Sequence, residues 1–200
     1  MSIRKFLLVL LIIPASLSAQ SYMDNPMVRI AMDAYAAQIR ENPDDYMPYY
    51  NRAKDYFKYG EKELALADLN KAIEIFPRKE TADLSQAYTL RALIYQEKGN
   101  FIAALNDFNE ALKLDPQSRF SLIGRADLLY ENADYENARR DYEILLRQDV
   151  RCQEAYLGLA RIAYHENNMG LCNDYLEKAQ RGGQINHAEY PPKILQRNVF

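Results

Sequence analysis

The sequence repeats itself with a period of 34 residues. Small residues recur at one step of 39 and then two steps of 34, and a second column of small residues follows the same steps. The two columns are Ala53, Ala92, Ala126 and Ala160, and Ala65, Ala104, Ala138 and Cys172. Because a fixed period of 20 to 50 residues is typical of repeat architectures, the chain is predicted to be a stack of similar units.

Each unit reads as two antiparallel helices joined by a short turn. Large apolar residues flank the small columns at helical spacing, and between the columns lie positions where a helix can end in a left-handed residue. These turn positions are Gly60, Gly99, Ala133 and Asn167. Seven Gly and eight Pro in 200 residues are too few for the many tight turns of a β-sandwich. The predicted class is therefore all-α.

The order of residues within a unit resembles the tetratricopeptide repeat family. The second unit shows that order most completely, with Tyr88, Ala92, Tyr95, Gly99, Ala104, Phe108 and Pro116. The resemblance implies a right-handed α-solenoid of stacked helical hairpins. It covers residues 46–183 as four hairpins, at 46–84, 85–118, 119–152 and 153–183.

The register continues upstream of the first hairpin. Ala31, Tyr35 and Pro43 lie 34 residues before Ala65, Leu69 and Pro77, so residues 20–45 are predicted to hold an N-terminal helix that caps the stack as a half-repeat. The acidic pair Asp44-Asp45 is read as the N-cap of the next helix. Residues 184–200 form a C-terminal tail, for which docking over the last hairpin, disorder and partner binding are the alternatives, with docking preferred.

The first nineteen residues have the layout of a secretory signal peptide. A basic start at Met1–Lys5 is followed by an apolar run at Phe6–Ile13 and a small, turn-prone stretch at Pro14–Ala19. Cleavage is expected after Ala19, which predicts an exported protein, periplasmic or secreted, with no stable membrane insertion afterwards. A buried N-terminal helix is the alternative.

No sequence motif for catalysis, cofactor binding or metal binding is present. The residues His165, Glu166 and Glu131 are interpreted as a solvated helix end. Removing residues 1–19 leaves 23 basic and 28 acidic residues, a net charge of −5 that argues against nucleic-acid binding. Cys152 and Cys172 are predicted to be free thiols and not a disulfide, because the hairpin separates them by about 12 Å along its axis.

In the family that the chain resembles, the first helices of successive hairpins line a concave groove for a partner peptide or helix. One helical face of each first helix supplies the candidate residues here. They are Tyr50, Lys54, Phe57, Thr89, Leu93, Gln96, Ile123, Asp127, Tyr130, Leu157, Arg161 and Tyr164. Their mainly apolar character favours a partner with apolar anchors, although the chain's own segments are an alternative occupant of this face.

The sequence thus predicts an exported, non-enzymatic protein-interaction module, a scaffold or adaptor of a bacterial cell-envelope complex. A self-associating structural module is one alternative. An accessory subunit of an envelope enzyme is the other.

Overall fold

A computed structural model describes residues 22–77 and 81–182, and within them the chain forms nine α-helices and no strand. The helices are α1 Pro26–Glu41, α2 Tyr46–Lys58, α3 Lys62–Ile75, α4 Thr81–Glu97, α5 Phe101–Leu114, α6 Arg119–Glu131, α7 Tyr135–Gln148, α8 Gln153–His165 and α9 Met169–Gly182. The predicted all-α class is confirmed. The expected signal peptide and C-terminal tail lie outside the described residues.

The four predicted turn residues all have left-handed backbone conformations. Their φ angles are 81° at Gly60, 72° at Gly99, 61° at Ala133 and 58° at Asn167. A left-handed residue lets the chain reverse after the first helix, and the prediction of these four turns is confirmed. Ala133 adopts this conformation although its Cβ disfavours it, because the helices on both sides fix the reversal.

Side chains cap several helix starts. Asp45 accepts a hydrogen bond from the Met47 backbone N–H at 2.9 Å, as the prediction of an acidic N-cap requires. Asn100 and Asp134 cap α5 and α7 in the same way. These contacts satisfy backbone donors that have no partner inside the helix.

The chain divides into two compact units, of which the first extends to Ile75. In this unit α2 and α3 form a hairpin, and α1 packs against α2. The Tyr35 hydroxyl of α1 donates to Asp55 of α2 at 3.2 Å. Val28 and Met32 supply the buried face of α1.

The second unit begins at Phe76 and contains three hairpins, α4 with α5, α6 with α7 and α8 with α9. The columns of small residues lie in the core of this unit. Ala92, Ala126, Ala160, Ala104 and Ala138 are fully buried. Cys172 takes the same position in the last hairpin, and both Cys172 and Cys152 are buried, free thiols whose pKa values are raised by burial.

Two glycines allow neighbouring hairpins to approach closely. A Cβ atom at Gly124 would collide with the Phe108 ring, and one at Gly158 would collide with the Tyr142 ring. Both rings are almost completely buried. Gly158 and Tyr142 lie 34 residues after Gly124 and Phe108, so this contact is a repeated feature of the stack.

Three ion pairs link the two helices within successive hairpins. Each joins an arginine of the first helix to an aspartate 16 residues later, through two hydrogen bonds of 2.6 to 2.8 Å. The pairs are Arg52 with Asp68, Arg91 with Asp107 and Arg125 with Asp141. Sequence reasoning missed them, although they recur at the same steps of 39 and 34 as the small columns. The last hairpin has Leu159 and Tyr175 at these positions.

Candidate partner-binding site

The predicted groove residues belong to α2 in the first unit and to α4, α6 and α8 in the second. In the second unit α6 contacts both α4 and α8, so the first helices of its three hairpins lie side by side. Most of the predicted residues are half-buried, and Lys54 of the first unit is exposed. The half-buried residues are Phe57, Leu93, Gln96, Ile123, Asp127, Tyr130, Leu157, Arg161 and Tyr164.

Tyr50 and Thr89 depart from the prediction, because each is only 5% exposed. The Lys54 ammonium lies 5.1 Å from the centre of the Tyr50 ring. The Thr89 hydroxyl donates to the Ser85 carbonyl at 2.8 Å and shares a hydrogen bond with the Ser121 hydroxyl at 2.6 Å. Thr89 therefore joins α4 to α6 and offers almost no surface to a partner.

The structure brings Asp127 of α6 and Arg161 of α8 into contact. An Arg161 guanidinium nitrogen donates to Asp127 Oδ1 at 3.2 Å, and the guanidinium carbon lies 4.0 Å from the centre of the Tyr130 ring. These two charges neutralise each other, and the guanidinium is held on an aromatic face.

Tyr142 also contacts this cluster, and it lies on α7, the second helix of the same hairpin as Asp127. Its hydroxyl donates to Asp127 Oδ1 at 2.6 Å, while its ring is packed against Gly158. Burial of the ring, reinforced by the adjacent Asp127 carboxylate, raises the pKa of the Tyr142 phenol far above its ordinary value. Nothing in the repeat pattern reports that the Tyr142 hydroxyl reaches the first-helix face.

The raised pKa of Tyr142 predicts a loss of stability at alkaline pH. Above about pH 10 the tyrosine of the unfolded chain ionises while the native phenol keeps its proton, so the native state binds more protons and the free energy of unfolding falls. We expect Tyr142→Phe to be about 1 kcal/mol less stable than the parent at pH 8, because the substitution removes a hydrogen-bond donor to Asp127. Urea unfolding from pH 8 to 11 should show this deficit shrinking as the pH rises, and parallel stability curves for the two proteins would contradict the assignment.

Four rings meet where α6 and α8 end and α7 begins. The centre of the His165 ring lies 5.4 Å from Tyr135, 5.5 Å from Tyr130 and 6.2 Å from Tyr164. Tyr130 and Tyr135 are 5.5 Å apart. We call Tyr130, Tyr135, Tyr164 and His165 the aromatic patch.

The acidic neighbours of His165 do not assemble a metal site. Glu166 accepts two hydrogen bonds from Arg139, at 2.7 and 2.8 Å. Among the residues that the structure describes, no group of three or more His, Cys, Asp or Glu side chains is placed to hold a metal ion. This face offers a partner rings, aliphatic side chains and hydrogen-bond donors.

The second unit also has a recessed surface that the sequence did not predict. Two adjoining open pockets of about 480 and 470 Å³ are lined by residues of α5, α6 and α7. Asn109, Arg125 and Ile144 line both of them. Arg125 is already engaged there, because it donates to Asn109 at 2.7 Å as well as to Asp141.

None of the helices in residues 22–77 and 81–182 combines the length and the apolar content that crossing a bilayer requires.

Comparison with known families supports the repeat assignment. Three family models, each described as a tetratricopeptide repeat, match residues 48–79, 85–118 and 123–171, and together they cover more than half of the chain. The human protein SGT1 homolog is 30% identical over 139 residues, 64% of this chain and 36% of the relative. The chain spans about a third of the length of this relative and of human tetratricopeptide repeat protein 6.

Solved structures show the same fold at low sequence identity. The crystal structure of MamA superimposes with a TM-score of 0.69 at 16% identity, covering 80% of this chain and 90% of MamA. That of YrrB, described as a TPR protein with an unusual peptide-binding site, has a TM-score of 0.50 at 17% identity and covers 78% of this chain and 95% of YrrB. The predicted TPR-like solenoid is thus confirmed as the fold class.

Proposed function

The chain belongs to the tetratricopeptide repeat family, and from that premise we propose that it is an exported, non-enzymatic module that binds a partner peptide or helix on its first-helix face. Proteins of this family act as protein-interaction modules. The proposed role is that of a scaffold or adaptor in a bacterial cell-envelope complex. Export is proposed from the signal-like sequence of residues 1–19.

The contact between Asp127, Arg161 and Tyr130 carries the proposal for the binding face. It joins two consecutive first helices and brings together three side chains that are still partly exposed. Half-buried Ile123 and Leu157 lie one helical turn before Asp127 and Arg161. A face that mixes aliphatic side chains, rings and one guanidinium has the composition of the central part of protein interfaces.

Crosslinking in cells followed by mass spectrometry tests this face. We expect the double variant Tyr130→Ala/Arg161→Glu to lose the partners that the parent protein recovers, because it removes a ring and reverses the charge beside Asp127. The control Phe120→Ala/Arg140→Glu makes the same kinds of change at exposed positions of the same unit. It should recover the parent's partners.

Fold integrity is checked by circular dichroism and urea unfolding. If the double variant is unfolded, Arg161→Ala replaces it, since Asp127 is 35% exposed and tolerates the loss of its partner. Equal recovery of all partners by the folded variant, the control and the parent would refute the proposed face. Fractionation and N-terminal analysis of the mature protein test export, and a mature chain that still begins at Met1 would refute cleavage.

A further inference from the structure

The aromatic patch lies entirely within the second unit and is built from two consecutive hairpins. Tyr130 lies in the last turn of α6, Tyr135 begins α7, and Tyr164 and His165 are the last two residues of α8. The three tyrosines are half-buried and His165 is exposed, so the rings contact one another and still face solvent. Packing between rings limits their motion, which lowers the entropic cost of placing a ligand against them.

Three of the charged groups beside the patch are paired. Arg161 lies over Tyr130 and donates to Asp127, which also accepts from the Tyr142 hydroxyl. Glu166, next to His165, is bound to Arg139. A strongly acidic or basic segment would therefore find no unpaired opposite charge at these contacts, and an uncharged segment fits better.

The polar groups of the patch include several hydrogen-bond donors. Each tyrosine hydroxyl can donate as well as accept, the guanidinium of Arg161 only donates, and the nearby Asp127 acceptor is occupied. A proline-rich segment matches this set, because proline has no backbone N–H but keeps its carbonyl acceptor. Its rings also stack on aromatic faces, and the extended polyproline II conformation is largely formed before binding.

We propose that the aromatic patch binds an uncharged, proline-rich segment of a partner protein in the polyproline II conformation. The inference rests on the proposed function, since it names the partner chemistry for one end of the first-helix face. Tyr164 and His165 would contact the segment directly, with Tyr130 held in place by Arg161.

Titration with a capped decaproline peptide tests the proposal, with a capped peptide of alternating glycine and serine of equal length as the control. Binding is measured by NMR chemical-shift changes in the full chain. Decaproline should bind at least about tenfold more tightly than the control peptide. Tyr164→Ala and His165→Ala should each weaken binding about fivefold to tenfold.

Phe120→Ala is the matched variant, because Phe120 is an aromatic residue of the same unit that is 75% exposed and lies at the other end of α6. It should leave decaproline binding unchanged. If Tyr164→Ala fails to fold, His165→Ala still decides the result, since an exposed ring is removed without opening the core. Equal binding of the two peptides, or decaproline binding that is indifferent to the folded patch variants, would overturn the proposal.

The chain's own Pro191-Pro192 pair is the competing occupant. Unchanged decaproline affinity in Pro191→Ala/Pro192→Ala supports a partner in trans, whereas an increase of tenfold or more would overturn that assignment in favour of the chain's own tail. The crosslinking experiment tests the proposed function independently of the peptide titration. Loss of decaproline binding with retained, face-dependent crosslinks would refute only this inference, and the absence of any face-dependent crosslink would refute the proposed function.

Discussion

Replacing Arg125 by alanine is expected to lower the free energy of unfolding by about 3 kcal/mol. Arg125 makes two hydrogen bonds to Asp141, whose side chain is only 4% exposed, so the substitution leaves a buried carboxylate without its partner. Removing one member of a buried ion pair commonly costs about 3 to 5 kcal/mol. The lower end is expected here because the Arg125 side chain is 24% exposed and water can reach part of the site.

Urea unfolding of two further variants separates burial from charge. Arg140→Ala removes an exposed pair with Glu136, where both side chains are at least 65% exposed, and should cost less than about 1 kcal/mol. Arg125→Met/Asp141→Leu removes both charges and should recover most of the stability lost in Arg125→Ala, because apolar side chains of similar size replace a buried pair well. A loss in Arg125→Ala no larger than that in Arg140→Ala would show that the buried pair is not structurally important.

Replacing Gly158 by alanine is expected to destabilise the protein by about 1 to 3 kcal/mol. The added methyl group would overlap the ring of Tyr142, which is 1% exposed and also bound through its hydroxyl to Asp127. Since the ring is held at both ends, α8 must move away from α7, and overpacking of this kind costs energy in a dense core. The effect is opposite to the helix-stabilising effect that glycine-to-alanine changes have at open positions.

Gly170 provides the matched control. It lies in α9, where the nearest atom to a new Cβ would be Asn168 Oδ1 at 3.8 Å, an ordinary contact. Gly170→Ala should therefore leave stability unchanged or raise it by up to about 1 kcal/mol. In Tyr142→Leu, which shortens the side chain opposite Gly158, the further change Gly158→Ala should cost less than it does in the parent. An equal cost in both backgrounds would mean that the ring is not what restricts position 158.

The repeat period predicted the hairpins because it reports positions that must be small. An alanine column that stays in phase over three hairpins has few explanations other than closely crossing helices, and Ala92, Ala126 and Ala160 are all fully buried. The same period carried the signal for the Arg–Asp pairs. It was missed because charged residues on a helix are normally read as solvated, and only the packing of the two helices shows that Asp107 and Asp141 lie below the surface.

The candidate face was predictable in outline and not in its interactions. Helical spacing placed Asp127 and Arg161 on corresponding faces of successive first helices, but it carried no information on whether they would meet. It also placed Thr89 on that face, where hydrogen bonds to Ser85 and Ser121 bury it between α4 and α6. Side-chain length, rotamer and the distance between neighbouring helices decide such contacts, and none of these is encoded in a period.

The sequence by itself determined the all-α class, the hairpin turns and the two columns of small residues, because each depends on the local geometry of one helix or one reversal. The tertiary structure alone decided which of the repeated residues remain available to a partner. It buried Tyr50, paired Asp127 with Arg161, brought the Tyr142 hydroxyl through from the second helices and gathered four rings from two hairpins. Whether a side chain is available to a partner depends on contacts between residues that are distant in the chain. The packing of whole helices fixes those contacts.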